Sequence, residues 1–143
     1  MMARMKQDMY WLPSVVLFAL GIVDLVRGFM HTFNIHWAAE NIAKLDLSAA
    51  PQDQLFLLGT FGISNFLTGF IYLLISTRAK EQSPWIILLI PSAYLLGIIG
   101  FKFAGLTKAA EFNGQYFMFV YLAVCVLTFI VFLVQRRTLN KTH

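Results

Sequence analysis

The chain has 143 residues, of which 59% are hydrophobic, 15% aromatic and only 13% charged, with a mean hydropathy of +0.70. Water-soluble domains carry roughly 45–50% apolar and about 25% charged residues, so a soluble globular fold is excluded. The excess of 11 Lys and Arg over 7 Asp and Glu sits mostly at the ends of apolar runs, which ties it to membrane topology, not to nucleic acid.

Four apolar segments stand out, at about 11–33, 55–76, 84–103 and 116–134. Each is long enough to cross a hydrocarbon layer of roughly 30 Å at about 1.5 Å per helical residue. Lipid offers the backbone no hydrogen-bonding partner, so all four must be helices. The expected fold is all-α: a single membrane-embedded domain, a polytopic protein built as an antiparallel bundle of four transmembrane helices.

The first span is preceded by Arg4 and Lys6 but runs on past the length of a signal peptide, has no convincing small-residue cleavage site and contains Asp24 and Arg27; it is expected to stay in the mature protein. Pro13 suits its first turn. The connection 34–54 follows, where Ile35, Ala38, Ala39, Ile42 and Leu45 recur at helical spacing, with Glu40 and Lys44 as an i,i+4 pair on the opposite face. This pattern predicts a short amphipathic helix in the first outer loop, with Asn34 placed to cap it and Ser48 to Asp53 leading into the second span.

The second span echoes the first. Gly21-Ile22-Val23-Asp24-Leu25-Val26-Arg27-Gly28-Phe29 aligns with Gly62-Ile63-Ser64-Asn65-Phe66-Leu67-Thr68-Gly69-Phe70, and one turn further His31 aligns with Tyr72. At about 100° per residue the glycines and polar positions of each helix fall within one arc about 120° wide. Apolar helices gain little by associating in lipid, so small residues and side-chain hydrogen bonds must draw them together. The echo predicts close backbone approach at the glycines with Asp24 meeting a donor between them, as in an inverted pair. Duplication and chance both remain open as its origin.

Pro84 suits the first turn of the third span, and Pro91 inside it is expected to kink the helix. The fourth span is aromatic nearly all round, with Tyr116, Phe117, Phe119, Tyr121, Phe129 and Phe132, a pattern of packing and lipid contact, not of a cofactor box. Arg4, Lys6, Arg78, Lys80, Arg136, Arg137 and Lys141 lie on one side of this layout, against Lys44, Lys102 and Lys108 on the other. The positive-inside rule therefore places the protein in the cell membrane with both termini cytoplasmic.

One constellation can carry chemistry. Asp24, Arg27 and His31 stand at i, i+3 and i+7 on one face of the first span. A charge at a helix centre costs roughly 2.5–3.5 kcal/mol on insertion scales, so these groups are expected to face one another or a wet cavity. Arg27 would hold an anionic or carbonyl group, His31 would exchange protons near neutral pH, and Asp24 would orient both. Asn65, Thr68 and Tyr72 are candidates for the second wall, and Tyr94, just past Pro91, is a further one. Glu111, Asn113 and Gln115 precede the last span on the outer side, at the rim. The alternative is an Asp24–Arg27 ion pair that fixes helix register and binds nothing.

No metal site is expected: His36 and Glu40 have ligand spacing, but His31 and His36 do not share a helix face and the remaining histidine is His143. No cofactor motif is present, and the single cysteine, Cys125, excludes an internal disulfide and a C-x-x-C redox site. In size the chain is similar to the small multidrug exporters, but those depend on a lone glutamate in their first helix. Here Asp24 has Arg27 to satisfy it, which counts against proton-coupled export.

Three functional classes follow. The first is a binding, accessory or carrier protein that uses the Asp24–Arg27–His31 pocket, open to the outer side, for a small or lipidic ligand. The second is a membrane enzyme acting on a lipid- or quinone-like substrate with His31 as acid/base. The third is a purely structural interaction subunit. Membrane lipids are the expected partners, and a homodimer or larger membrane complex is compatible with so small a bundle.

Overall fold

The computed structural model describes residues 9–106 and 114–141. Arg4, Lys6, Lys108, Glu111, Asn113 and His143, together with the side chain of Lys141, lie outside the described residues. The protein is all-α, with four helices long and apolar enough to cross a membrane. They are α1 (Trp11–Thr32), α2 (Pro51–Arg78), α3 (Ser83–Phe103) and α4 (Gly114–Lys141).

The helix ends lie outside the apolar windows wherever hydropathy and backbone bonding part company. Helix α2 starts at Pro51, which suits a first helical turn because its missing N–H would have no intrahelical partner there. Ala50 precedes it in the left-handed region (φ 46°). Nearby, the Gln54 side chain donates to the carbonyls of Asp46 (2.8 Å) and Ala49 (2.7 Å). Helix α4 continues to Lys141 through polar Gln135, Arg136 and Arg137, since a helix bonds its own backbone whether or not lipid surrounds it. Helix α3 runs unbroken through Pro91, with no unwound turn.

The first connection is helical but not a regular amphipathic helix. A single α-turn (Ile35–Trp37) passes into a π-helical turn (Ala38–Ala43), which ends where Lys44 takes φ 52°. Its i→i+5 bonding brings residues five apart into register. Ala38, Ala39 and Ala43 therefore point inward, while Ile42 stays 44% exposed. Lys44, in the left-handed region, leaves the helical face; among the described residues it makes no ion pair with Glu40. Asn34 takes the cap position without a side-chain cap bond.

Helices α1 and α2 are the most intimately packed pair. The buried positions of α2 are Leu55, Gly62, Gly69 and Ser76, spaced seven residues apart. Those of α1 include Ser14, Leu17, Gly21, Asp24 and Gly28, alternating by three and four. This is the pattern of a left-handed helical seam lined with small residues. The approach is close: a Cβ at Gly69 would stand 2.9 Å from the Gly21 carbonyl oxygen, and one at Gly28 would stand 3.1 Å from that of Gly62. Residue numbers run in opposite directions along the seam, as antiparallel helices require.

A second layer closes over α1. Leu17, Leu20, Ile87, Tyr121 and Cys125 form the apolar core. At the end where α3 begins, the Ser14 hydroxyl lies 3.2 Å from that of Ser83 and 2.8 Å from the Tyr10 carbonyl, and Pro13, Pro84 and Phe132 are fully enclosed. Helix α3 is buried only through Ser83, Pro84 and Ile87. The outward faces of all four helices are apolar, with Phe18, Phe56, Phe61, Leu96 and Leu127 each well exposed. A continuous surface of this kind suits acyl chains and would aggregate in water.

Candidate functional site

Asp24 lies where three helices meet. It falls on the seam of α1 with the two glycines, and their lack of side chains lets α2 come near enough to reach it. Only 4% of the residue is exposed. Its Oδ1 accepts from Arg27 Nη1 at 3.3 Å, and its Oδ2 accepts from Thr68 Oγ1 of α2 at 3.1 Å and from the Tyr121 hydroxyl of α4 at 3.3 Å. A carboxylate that accepts only is the species such a set of donors satisfies. The single hydrogen of Thr68 also has the Asn65 carbonyl (3.1 Å) and the Ser64 carbonyl (3.2 Å) within reach, but the charged acceptor gives the stronger bond. No buried side-chain nitrogen or oxygen among the described residues lacks a partner.

Two turns further along α1, His31 meets α2. Asn65 Nδ2 lies 3.3 Å from His31 Nδ1. The amide nitrogen can only donate, so Nδ1 accepts and the ring's own hydrogen resides on Nε2. Of the residues singled out from sequence, Asp24, Arg27, His31, Asn65 and Thr68 are thus joined by hydrogen bonds. Tyr72 packs against the core beside Tyr121 and Cys125. Among the described residues, Tyr94 has no hydrogen bond to the cluster.

Sequence reasoning passed over Tyr121, having taken it for one more ring of an aromatic helix. A signal was present: Tyr121, Cys125 and Thr128, the less apolar residues of that stretch, recur at i, i+4 and i+7, and all three are buried. On a helix otherwise clothed in Phe, Val and Leu, such a stripe marks the inward face.

A cavity of ≈ 350 Å³ opens beside this cluster, walled by Ile22, Val23, Val26, Arg27, Met30 and His31 of α1, with Ile42 of the connection and Phe117 of α4. Asp24 stands behind Arg27 and does not line it. The Arg27 side chain, 29% exposed, spans the two surroundings. One nitrogen is spent on Asp24, and the guanidinium carbon sits 5.7 Å from the centre of the Phe117 ring, within cation–π range. A second hollow, of ≈ 430 Å³, lies between the connection and the start of α2 and includes His36, Gln52 and Thr60. Among the described residues no three His, Cys, Asp or Glu side chains gather into a group able to hold a metal ion.

Comparison with known protein families, with curated proteins and with solved structures found no match. The reading of the site therefore rests on its own chemistry.

Proposed function

We propose that this small membrane protein acts by binding, as an accessory or carrier protein whose small or lipidic ligand enters the cavity between α1 and α4 beside Arg27 and His31. The supporting observation is how the three polar residues divide. Asp24 is enclosed and saturated by donors from three helices, whereas Arg27 and His31 border an apolar hollow beside it. An ion pair serving architecture alone would have no need of that hollow. Intramembrane charged groups that face a cavity are the usual signature of a ligand path.

In this reading both termini are cytoplasmic and the cavity lies towards the outer side, because the lysines and arginines concentrate at the opposite end of the bundle. The structural class retains one favourable observation: Asp24 ties α1 to α2 and α4, so it holds the bundle together whatever the cavity does. The two roles are compatible.

Native mass spectrometry of gently extracted protein tests the proposal, paired with Val26→Trp. Val26 is 57% exposed at the cavity wall, so a larger side chain there fills the hollow without entering the core. A retained small molecule that Val26→Trp expels supports binding. Identical spectra for the two proteins would refute it.

A further inference from the structure

The opposite end of the bundle, where α1 begins and α2 ends, carries a groove of different chemistry. Its volume is ≈ 270 Å³, and Trp11, Val15 and Phe18 of α1 share its lining with Ser76 and Thr77 of α2 and with Lys80 just beyond. Ser14 and Ser76, both buried, close the α1–α2 seam here. Side chains so short leave a trough between the larger ones that flank them.

Lys80 opens the tight turn Lys80–Gln82 that joins α2 to α3. The Ser14 hydroxyl lies 3.4 Å from the Lys80 carbonyl and 3.2 Å from the Ser83 hydroxyl, so the backbone of that turn is tied to α1. Among the described residues the Lys80 ammonium makes no ion pair. A lysine acts as a point charge on a flexible stem and needs no fixed aim to meet an anion. Trp11, 63% exposed, stands where rings of an aromatic belt meet the membrane surface. From Trp11 to Phe18 the helix advances about 10 Å, passing exposed Val15 on the way into the apolar layer. The groove therefore has a cation and an indole at its surface end and hydrocarbon below.

Charge at this end selects among lipids. Among the described residues it carries Arg78, Lys80, Arg136 and Arg137 against Glu81 alone, whereas the other end has Lys44 and Lys102 against Glu40, Asp46 and Asp53. Basic pockets between membrane helices favour anionic headgroups. We infer that this groove seats an anionic phospholipid, its phosphate beside Lys80 and Trp11 and an acyl chain along Val15 and Phe18. The site is separate from the cavity beside Arg27, with which it shares no residue.

The test uses the full chain in neutral detergent with an equimolar mixture of palmitoyl-oleoyl phosphatidylglycerol and palmitoyl-oleoyl phosphatidylcholine, read by native mass spectrometry. The acyl chains match, so the ratio of bound lipids reports the headgroup. Wild type is expected to prefer phosphatidylglycerol, and Lys80→Gln to lose about fivefold of that preference, the weight of one lysine at an anionic membrane surface. The carbonyl that Ser14 approaches is unchanged by this substitution. Arg137→Gln removes the same charge from α4, which contributes nothing to the groove, and is expected to leave the preference in place. Val15→Trp, filling the groove from an exposed position, is expected to abolish it.

Absence of a wild-type preference overturns the inference. Equal losses in Lys80→Gln and Arg137→Gln do so too, because they would trace the preference to the general charge of this end. A Val15→Trp variant that keeps the preference removes the groove from the account; if that variant fails to fold, the comparison of Lys80→Gln with Arg137→Gln decides. Displacement of the lipid by excess inorganic phosphate at matched ionic strength would show that only a free anion is held, and would overturn the lipid assignment. Val26→Trp is expected to leave phosphatidylglycerol bound, so failure of the binding reading at the other cavity leaves this one standing; loss in that variant would place the lipid at the wrong end.

Discussion

Adding one methyl group at Gly69 tests the α1–α2 seam directly. A Cβ built there meets the Gly21 carbonyl oxygen at 2.9 Å and Leu25 Cδ2 at 2.8 Å. Leu25 can turn aside, but the carbonyl belongs to a helix backbone and moves only if α1 moves. Overpacking of this kind costs about 1–3 kcal/mol. Replacing glycine by alanine within a helix also returns about 1 kcal/mol of propensity, which would blur the result taken alone. Gly97 of α3 removes the ambiguity, because a Cβ there meets nothing within 4 Å. Gly69→Ala and Gly97→Ala share the propensity gain, so the difference between them isolates the packing. Reversible unfolding in mixed micelles should place Gly69→Ala about 1–3 kcal/mol below Gly97→Ala. Equal stabilities would mean that the seam does not have this geometry, and the account of how Asp24 reaches α2 would fail with it.

Three further outcomes follow from the same contacts. Thr68→Val and Tyr121→Phe each remove one donor from Asp24 and should each cost about 0.5–2 kcal/mol, intramembrane hydrogen bonds falling at the lower end; Asp24→Ala, which strands a partly buried guanidinium, should cost more than either in the same unfolding assay. In the first connection, the Ser48 hydroxyl and backbone N–H hold the exposed Asp46 carboxyl below its ordinary range, the backbone bond measuring 3.0 Å. A depressed folded value means that the turn's support is present above the unfolded value and is lost as pH falls through the folded one. Ser48→Ala should therefore shift the Asp46 titration upward by NMR, and an unmoved curve would exclude the hydroxyl's part. For topology, protease sites appended at the two termini should be cut from the same face of sealed vesicles, and cleavage from opposite faces would contradict the charge distribution.

The sequence carried the spans well because hydrocarbon demands a long apolar run, and that demand leaves a mark on every residue. It also carried the seam, since glycines seven apart with a polar residue between them have few other uses in lipid. Less legible was anything decided by a third element. Tyr121 reaches Asp24 only because α4 packs across α1, and no pattern within the first two helices announces that. The connection was read with a period near 3.6, as most helices deserve; one π-turn rotated Ala43 inward and left Ile42 outside. The cavity wall was half legible. Arg27 and His31 stand on it, but Asp24, the most conspicuous residue of the set, turned out to lie behind it.

The echo between α1 and α2 extends into their contacts. Shifting α1 onto α2 by the sequence alignment carries the Gly21–Gly69 contact onto Gly62–Gly28, Gly21–Leu73 onto Gly62–Thr32, and Gly28–Phe66 onto Gly69–Leu25; all six contacts occur. The backbones are thus related by a local pseudo-two-fold axis, whatever the origin of the echo. The polar residues break that relation. Where α1 has Asp24, Arg27 and His31, α2 has Asn65, Thr68 and Tyr72, every charged or titrating position being matched by an uncharged amide or hydroxyl group. A second charged set at this separation would oppose the first across a seam only one glycine deep. A neutral set can instead serve the charged one, and it does so through Thr68 to Asp24 and Asn65 to His31. The axis carries the Asn65–His31 bond onto Asp24–Tyr72, yet among the described residues Asp24 bonds Tyr121 instead. Helix α4 thereby takes the place that symmetry would give to α2. The step away from symmetry draws the acid towards the core and leaves its arginine among the residues that border the cavity, while the carboxylate stays out of that lining.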